Sequence, residues 1–205
     1  MVPDAPIDGK LPSVKPEDRS GDFTFSRGSN LAATRVNKGG LIEKGRENLL
    51  LYSNEFSNGN WSKTNQTTLI SNNANAPDGT LTASTLNFAL AVGADQFYQS
   101  TTTNAGVYNT SVWLRSTTGS NQSFYFGFYD NDYDNKLITI TPTWTRFEHF
   151  GNLNAGSTRF CWLYPTTTNA SIEIWNAQGE QGLVATDYIE TGASTAQAGI
   201  LEDMP

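Results

Sequence analysis

Residues 123–129 read SFYFGFY, and no other stretch constrains the fold of this chain as tightly. In an extended strand successive side chains point to opposite faces, so Phe124, Phe126 and Phe128 share one side while Tyr125, Gly127 and Tyr129 share the other. A helix would scatter the three Phe around its axis. The Phe side is expected to face a core; the Tyr side either packs beneath a second layer or stays partly wet. Short apolar runs recur at 67–71, 81–88, 96–102, 107–116, 137–141, 144–150, 158–164 and 171–176, separated by Ser, Thr, Asn and Gly. In 107–116, Tyr108, Val112 and Leu114 fall on one face and Trp113 on the other. Between 76 and 80, Ala-Pro-Asp-Gly-Thr is a turn signal, because Pro sets φ and Asp-Gly supplies a positive-φ position. With no long helical pattern between them, these strands predict an all-β fold, an antiparallel β-sandwich or jelly roll.

The chain changes character at residues 41–61. Before it, residues 1–22 hold Pro3, Pro6, Pro12 and Pro16 with Gly9, Gly21 and several charges, and have little to bury. That segment reads as a free tail or as an arm that orders on another subunit. Phe23 and Phe25 then form a short extended patch. A short helix is expected near 31–36, broken by Gly39-Gly40. Arg27, Arg35, Lys38, Lys44 and Arg46 carry much of the positive charge, either as a solvated face or as a docking face for an acidic neighbour. The expected organisation is an extended N-terminal arm over 1–46, a β jelly-roll domain over 47–192, and a linker over 193–205. Phe23, Phe25, Arg27, Arg35 and Arg46 are the attachment candidates. At 205 residues the chain suits one domain plus an extension, and such a domain buries roughly 70% of its extended-chain surface.

Charge narrows the partners. A net charge of −7 with no Lys/Arg stripe argues against nucleic acid. No basic amphipathic helix and no apolar run of membrane-spanning length occurs, so no membrane partner is expected. The single cysteine, Cys161, excludes an internal disulfide. It lies in an apolar run, which suits a buried inert thiol better than a nucleophile. The N-terminus, MVPDAPIDGK, has no basic region followed by an apolar run and does not read as a signal peptide.

Few constellations suggest chemistry. Asp130, Asp132 and Asp134 alternate as carboxylates do at the start of a calcium loop. Asn135 stands where the loop wants Gly, and Thr141 where it wants Glu, so a solvated hairpin turn is the better reading. Calcium at Asp130, Asp132 and Asp134 is kept as the metal candidate, and no other cofactor is expected. His149 sits between Glu148 and Phe150 without a nucleophile elbow, and no carboxylate pair stands out for hydrolysis. The chain is therefore expected not to be an enzyme. Aromatic rings stack on the CH faces of sugars while Asn and Asp bind hydroxyls. Tyr125, Tyr129, Tyr133 and Trp175 are the carbohydrate-binding candidates by strand parity or loop position, with burial between sheets as the competing reading. Trp61, Trp113, Trp144 and Trp162 are expected in the core or at a layer edge.

Two segments carry a resemblance. Residues 40–65, GLIEKGRENLLLYSNEFSNGNWSKTN, followed by the Ala-Pro-Asp-Gly-Thr turn, resemble the opening of a carbohydrate-binding-like jelly-roll module of tailed-bacteriophage structural proteins. Residues 172–191, IEIWNAQGEQGLVATDYIET, resemble its last strand and exit, and FTFSRGSNLAATRV at 23–36 is similar to the segment before it. The resemblance implies a non-enzymatic virion protein of the head- or tail-fibre kind, docked by its arm on capsid or tail proteins. It implies a symmetric homo-oligomer, a trimer favoured, and a surface available to host glycans. A carbohydrate-binding module of a depolymerase or cell-surface enzyme is the alternative.

Overall fold

The computed structural model describes residues 34–36, 42–44, 47–91 and 93–197. Phe23, Phe25, Arg27 and Arg46 lie outside the described residues. Arg35 is described only through its backbone, in β1 (Thr34–Val36), which pairs antiparallel with β2 (Ile42–Lys44) and sets Arg35 opposite Glu43. The helix expected near 31–36 is thus replaced at 34–36 by a strand, consistent with β-branched Thr34 and Val36.

Two five-stranded sheets, all antiparallel, form the domain. The first runs in the order β10 (Tyr133–Ile140), β9 (Gln122–Tyr129), β12 (Gly156–Pro165), β7 (Phe97–Thr103) and β4 (Trp61–Lys63). The second runs β11 (Thr145–Leu153), β8 (Gly106–Ser116), β13 (Ala170–Gln181), β6 (Ala83–Phe88) and β5 (Thr68–Ala74). Successive strands alternate between the sheets along much of the chain, which is why the order within each sheet is non-sequential. The expected all-β sandwich is the observed fold. The strand expected at 137–141 instead starts at Tyr133, because β10 pairs with β9 from Tyr133 opposite Tyr129 onward and leaves a tight turn. The 76–80 turn forms as read: Gly79 takes φ 86°, its N–H donates to Ala76 O, and Thr80 N–H donates to Asp78 Oδ1.

The inner faces meet in one core. Phe124, Phe126 and Phe128 of β9, with Phe97, Phe160 and Leu163, pack against Leu86, Val112, Leu114, Ile172 and Ile174 of the other sheet. Ring pairs across the sheets, such as Phe88 of β6 edge to face with Phe124 of β9 at 5.3 Å, give the layers a fixed relation. Trp61 belongs here too, stacked on Phe97 at 5.0 Å.

Both central strands carry a bulge. In β12, Arg159 pairs with Tyr129 and Trp162 with Gly127, so three steps on one strand match two on its neighbour. Cys161 absorbs the extra residue in the left-handed region at φ 47°. In β13, Trp175 pairs with Trp113 and Gln178 with Ser111, and Asn176 does the same at φ 49°.

The opening stretch closes the domain. Asn48, in β3 (Glu47–Asn48), is fully buried; its Oδ1 accepts from Leu50 N and Gly179 N, and its Nδ2 donates to Ala177 O and Ile189 O. Ser53 Oγ is 2.6 Å from Tyr188 Oη, and Thr191 N donates to Ser53 Oγ. A further strand, β14 (Ala196–Gln197), pairs with β3 and falls in the segment expected as a linker.

Candidate functional site

The outer face of the first sheet carries an unbroken run of aromatic rings. Strand parity points Tyr125 and Tyr129 away from the Phe face, and the pairing of Tyr133 with Tyr129 puts Tyr133 on the same side. The β12 bulge then changes the phase of that strand. Without it, Trp162 and Tyr164 would share the side opposite Arg159; with it, all three reach the outer face. Trp162 becomes the hub. Its ring lies 5.2 Å from Tyr129, 5.4 Å from Tyr133 and 4.8 Å from Tyr164, and Tyr164 stacks on Tyr125 at 5.0 Å. Trp162 is buried beneath these tyrosines, whereas Tyr133 is 71% exposed and offers its ring to solvent.

Polar groups border the rings. The Arg159 guanidinium lies over Tyr98 at 4.4 Å and over Tyr129 at 4.8 Å. Gln96 Oε1 accepts from both Arg159 Nη1 at 2.9 Å and Trp162 Nε1 at 3.0 Å, which locks the cation to the hub. Asn135 Nδ2 reaches Tyr164 Oη at 3.5 Å. Burial raises the Tyr164 phenol above its ordinary range, against the opposing hydrogen bond from Asn135, so the hydroxyl stays a neutral donor. Flat rings with amide, hydroxyl and guanidinium groups at their margin can stack on a sugar's CH face and bind its hydroxyls.

Three of the four carbohydrate-binding candidates, Tyr125, Tyr129 and Tyr133, therefore come together. Trp175 does not join them. It lies on the outer face of the other sheet, 6.4 Å from Trp113, with its Nε1 donating to Thr82 Oγ1 and its ring on Ala74, Ala76 and Ala83. Sequence reasoning placed Trp162 in the core or at a layer edge, and passed over Tyr164, Tyr98, Arg159 and Gln96. The only available signal was the alternation Arg159…Cys161, whose phase the bulge reverses.

The calcium candidates are not brought together. Asp130 turns inward and accepts from Asn154 N and Nδ2; Asp132 accepts from Tyr133 N in the turn; Asp134 contacts His149 Nε2 at 2.7 Å. Period-2 geometry separates Asp134 from Tyr133 and Asn135, while Asp130 and Asp132 fall in the turn before the strand. Among the described residues no group of three His, Cys, Asp or Glu is placed to hold a metal ion. His149 has this aspartate as partner and the Phe128 ring at 5.7 Å. Cys161 is fully buried, and burial pushes its thiol up to about 12 despite a hydrogen bond with Thr110 Oγ1.

No family model matches the chain, and no curated protein matches it. Solved structures do. The C-terminal family 22 carbohydrate binding module of Clostridium thermocellum Xyn10B superposes with a TM-score of 0.54 at 15% identity, over 68% of this chain and 95% of that one. The CBM22-1 xylan-binding domain of Paenibacillus barcinonensis Xyn10C gives 0.50 at 12% identity, over 68% and 94%. The CBM22-1-CBM22-2 tandem domain of the same protein gives 0.51 at 14%, over 70% and 47%. The fold is the carbohydrate-binding-module jelly roll. At these identities the likeness speaks for the fold alone, and the aromatic face has to carry any statement about a ligand.

Proposed function

We propose that this chain is a non-catalytic glycan-binding protein, displayed on a bacteriophage particle, that holds sugar on the outer face of its first sheet. One observation carries the binding reading: the continuous ring surface of Tyr125, Tyr129, Tyr133 and Tyr164 over Trp162, on the face away from the core. Tyr133 stands exposed at the end of this run, with Tyr125 and Tyr129 half-buried beside it, so a ring face is open to a ligand there. A pyranose fits, since its CH face meets the electron-rich ring face while its hydroxyls reach Arg159 and Asn135.

The virion setting rests on the sequence resemblance of residues 40–65 and 172–191 to tailed-phage structural proteins. In that setting the partners are capsid or tail proteins, and the assembly is a symmetric homo-oligomer, a trimer favoured. Imaging of the particle tests this part through copy number and position; absence of the chain from purified particles refutes it. The binding part is tested by affinity electrophoresis of the full chain through gels containing neutral and acidic polysaccharides. Retardation by a polysaccharide, lost in Tyr129→Ala and Tyr133→Ala but kept in Trp175→Ala, supports it. No retardation by any polymer, or retardation unaffected by both tyrosine variants, refutes it.

A further inference from the structure

We infer that the sugar held on this face carries a carboxylate, with Arg159 as the group that recognises it; the inference rests on the glycan reading above. The charge distribution is the first argument. The chain as a whole is acidic, at −7. By strand register, the outward positions of β4, β7, β9 and β10 are all Ser, Thr, Tyr, Gly, Asn or Leu. On β12 they are Ser157, Arg159, Trp162 and Tyr164. No Asp or Glu stands among them, and Arg159 is their one cation.

The second sheet is built differently. There Arg115 pairs with Glu173, and Arg146 lies 3.9 Å from Glu148. Outward cations on that side have carboxylate neighbours. No ion pair joins Arg159 to a carboxylate among the described residues.

The geometry of the guanidinium is the third argument. Its plane is fixed by Tyr98 and Tyr129, and Nη1 is held by Gln96 Oε1. Nε and Nη2 make no hydrogen bond to the described residues, so the edge that matches a carboxylate in a two-point grip is open. The fork is held in advance by stacked rings, so binding orders little more of the side chain. A neutral sugar uses one or two of these donors without need for the charge; a uronic acid uses both donors and the charge. The overall negative charge repels polyanions at long range, so attachment to one requires a local cationic site.

The test takes uronic-acid polysaccharides, polygalacturonate, alginate and hyaluronan, each beside its carboxyl-reduced form, in affinity electrophoresis and calorimetry with the full chain. At least one acidic polymer should bind about tenfold or more tighter than its reduced form, the span expected when a charged hydrogen-bonded pair is lost. Arg159→Gln should abolish that difference by bringing each acidic polymer down to the affinity of its reduced form, and Arg159→Lys should restore only part of it. Tyr129→Ala should weaken both. Equal binding of every acidic polymer and its reduced form overturns the inference and leaves the glycan reading standing. A preference that survives in Arg159→Gln overturns it as well. Binding of neither form overturns both.

Discussion

Replacing Asn48 should cost the domain several kcal/mol, and the size of the loss follows from its four hydrogen bonds. The side chain is fully buried, accepts from Leu50 N and Gly179 N at 3.1 Å each, and donates to Ile189 O at 2.8 Å and Ala177 O at 3.3 Å. It therefore ties the opening stretch, the last long strand and the chain's exit from the sandwich together. Asn48→Ala leaves two buried N–H groups without acceptors and two carbonyls short of a donor. Each orphaned buried group costs roughly 1–3 kcal/mol, and relaxation or an entering water recovers part. Charging the two donors alone near the middle of that range and discounting for relaxation gives about 3 kcal/mol. For a domain of this size that is roughly 6–12 °C in Tm. Asn48→Asp keeps the volume but turns a negatively charged oxygen toward Ile189 O and Ala177 O, and should lose at least as much. Thermal and urea unfolding followed by Trp fluorescence measure both variants. An Asn48→Asp protein that melts within about 2 °C of the parent would show that the four-bond hub does not hold the domain closed.

Other expectations are as direct. Burial holds the Cys161 thiol up to about 12 from an ordinary 9.0, so its protonated form stabilises the fold fully below pH 9 and that stabilisation is lost as pH rises toward 12. The urea midpoint should fall above pH 9, less steeply in Cys161→Ala, though burial also raises the Tyr188 phenol and leaves some dependence behind. A thiol reagent at pH 8 should label Cys161 only after unfolding; rapid labelling of native protein contradicts the buried assignment. A Cβ at Gly127 would run into Asp134 O, Asn135 Cα and the His149 ring. Gly127→Ala should thus destabilise by about 1–3 kcal/mol through displacement of β10, read as a lowered urea midpoint. Trp175→Ala should cost about 2–3 kcal/mol by uncovering Ala74, Ala76 and Ala83, yet leave polysaccharide binding unchanged.

The sequence by itself determined the layers. Phe124, Phe126 and Phe128 alternate with Tyr125, Gly127 and Tyr129, and a side-chain period of two leaves no other arrangement than a strand with one apolar face. The Pro77-Asp78-Gly79 turn was legible for the same kind of local reason, since φ preferences act within a few residues. From those facts came the all-β sandwich and the placing of Tyr125 and Tyr129 away from the core. Tertiary structure decided the rest of the site. A bulge is one residue whose position depends on the neighbouring strand, and Cys161 in the left-handed region has no local signature that a reader can use. That single residue sets Trp162 and Tyr164 on the outer face beside Arg159, where unbroken alternation along β12 would have put them on the opposite side. The same non-locality set Trp175 on the far sheet and sent Asp130, Asp132 and Asp134 to separate partners. Strand pairing joins residues far apart in the chain, so which faces coincide is fixed only when the sheets form.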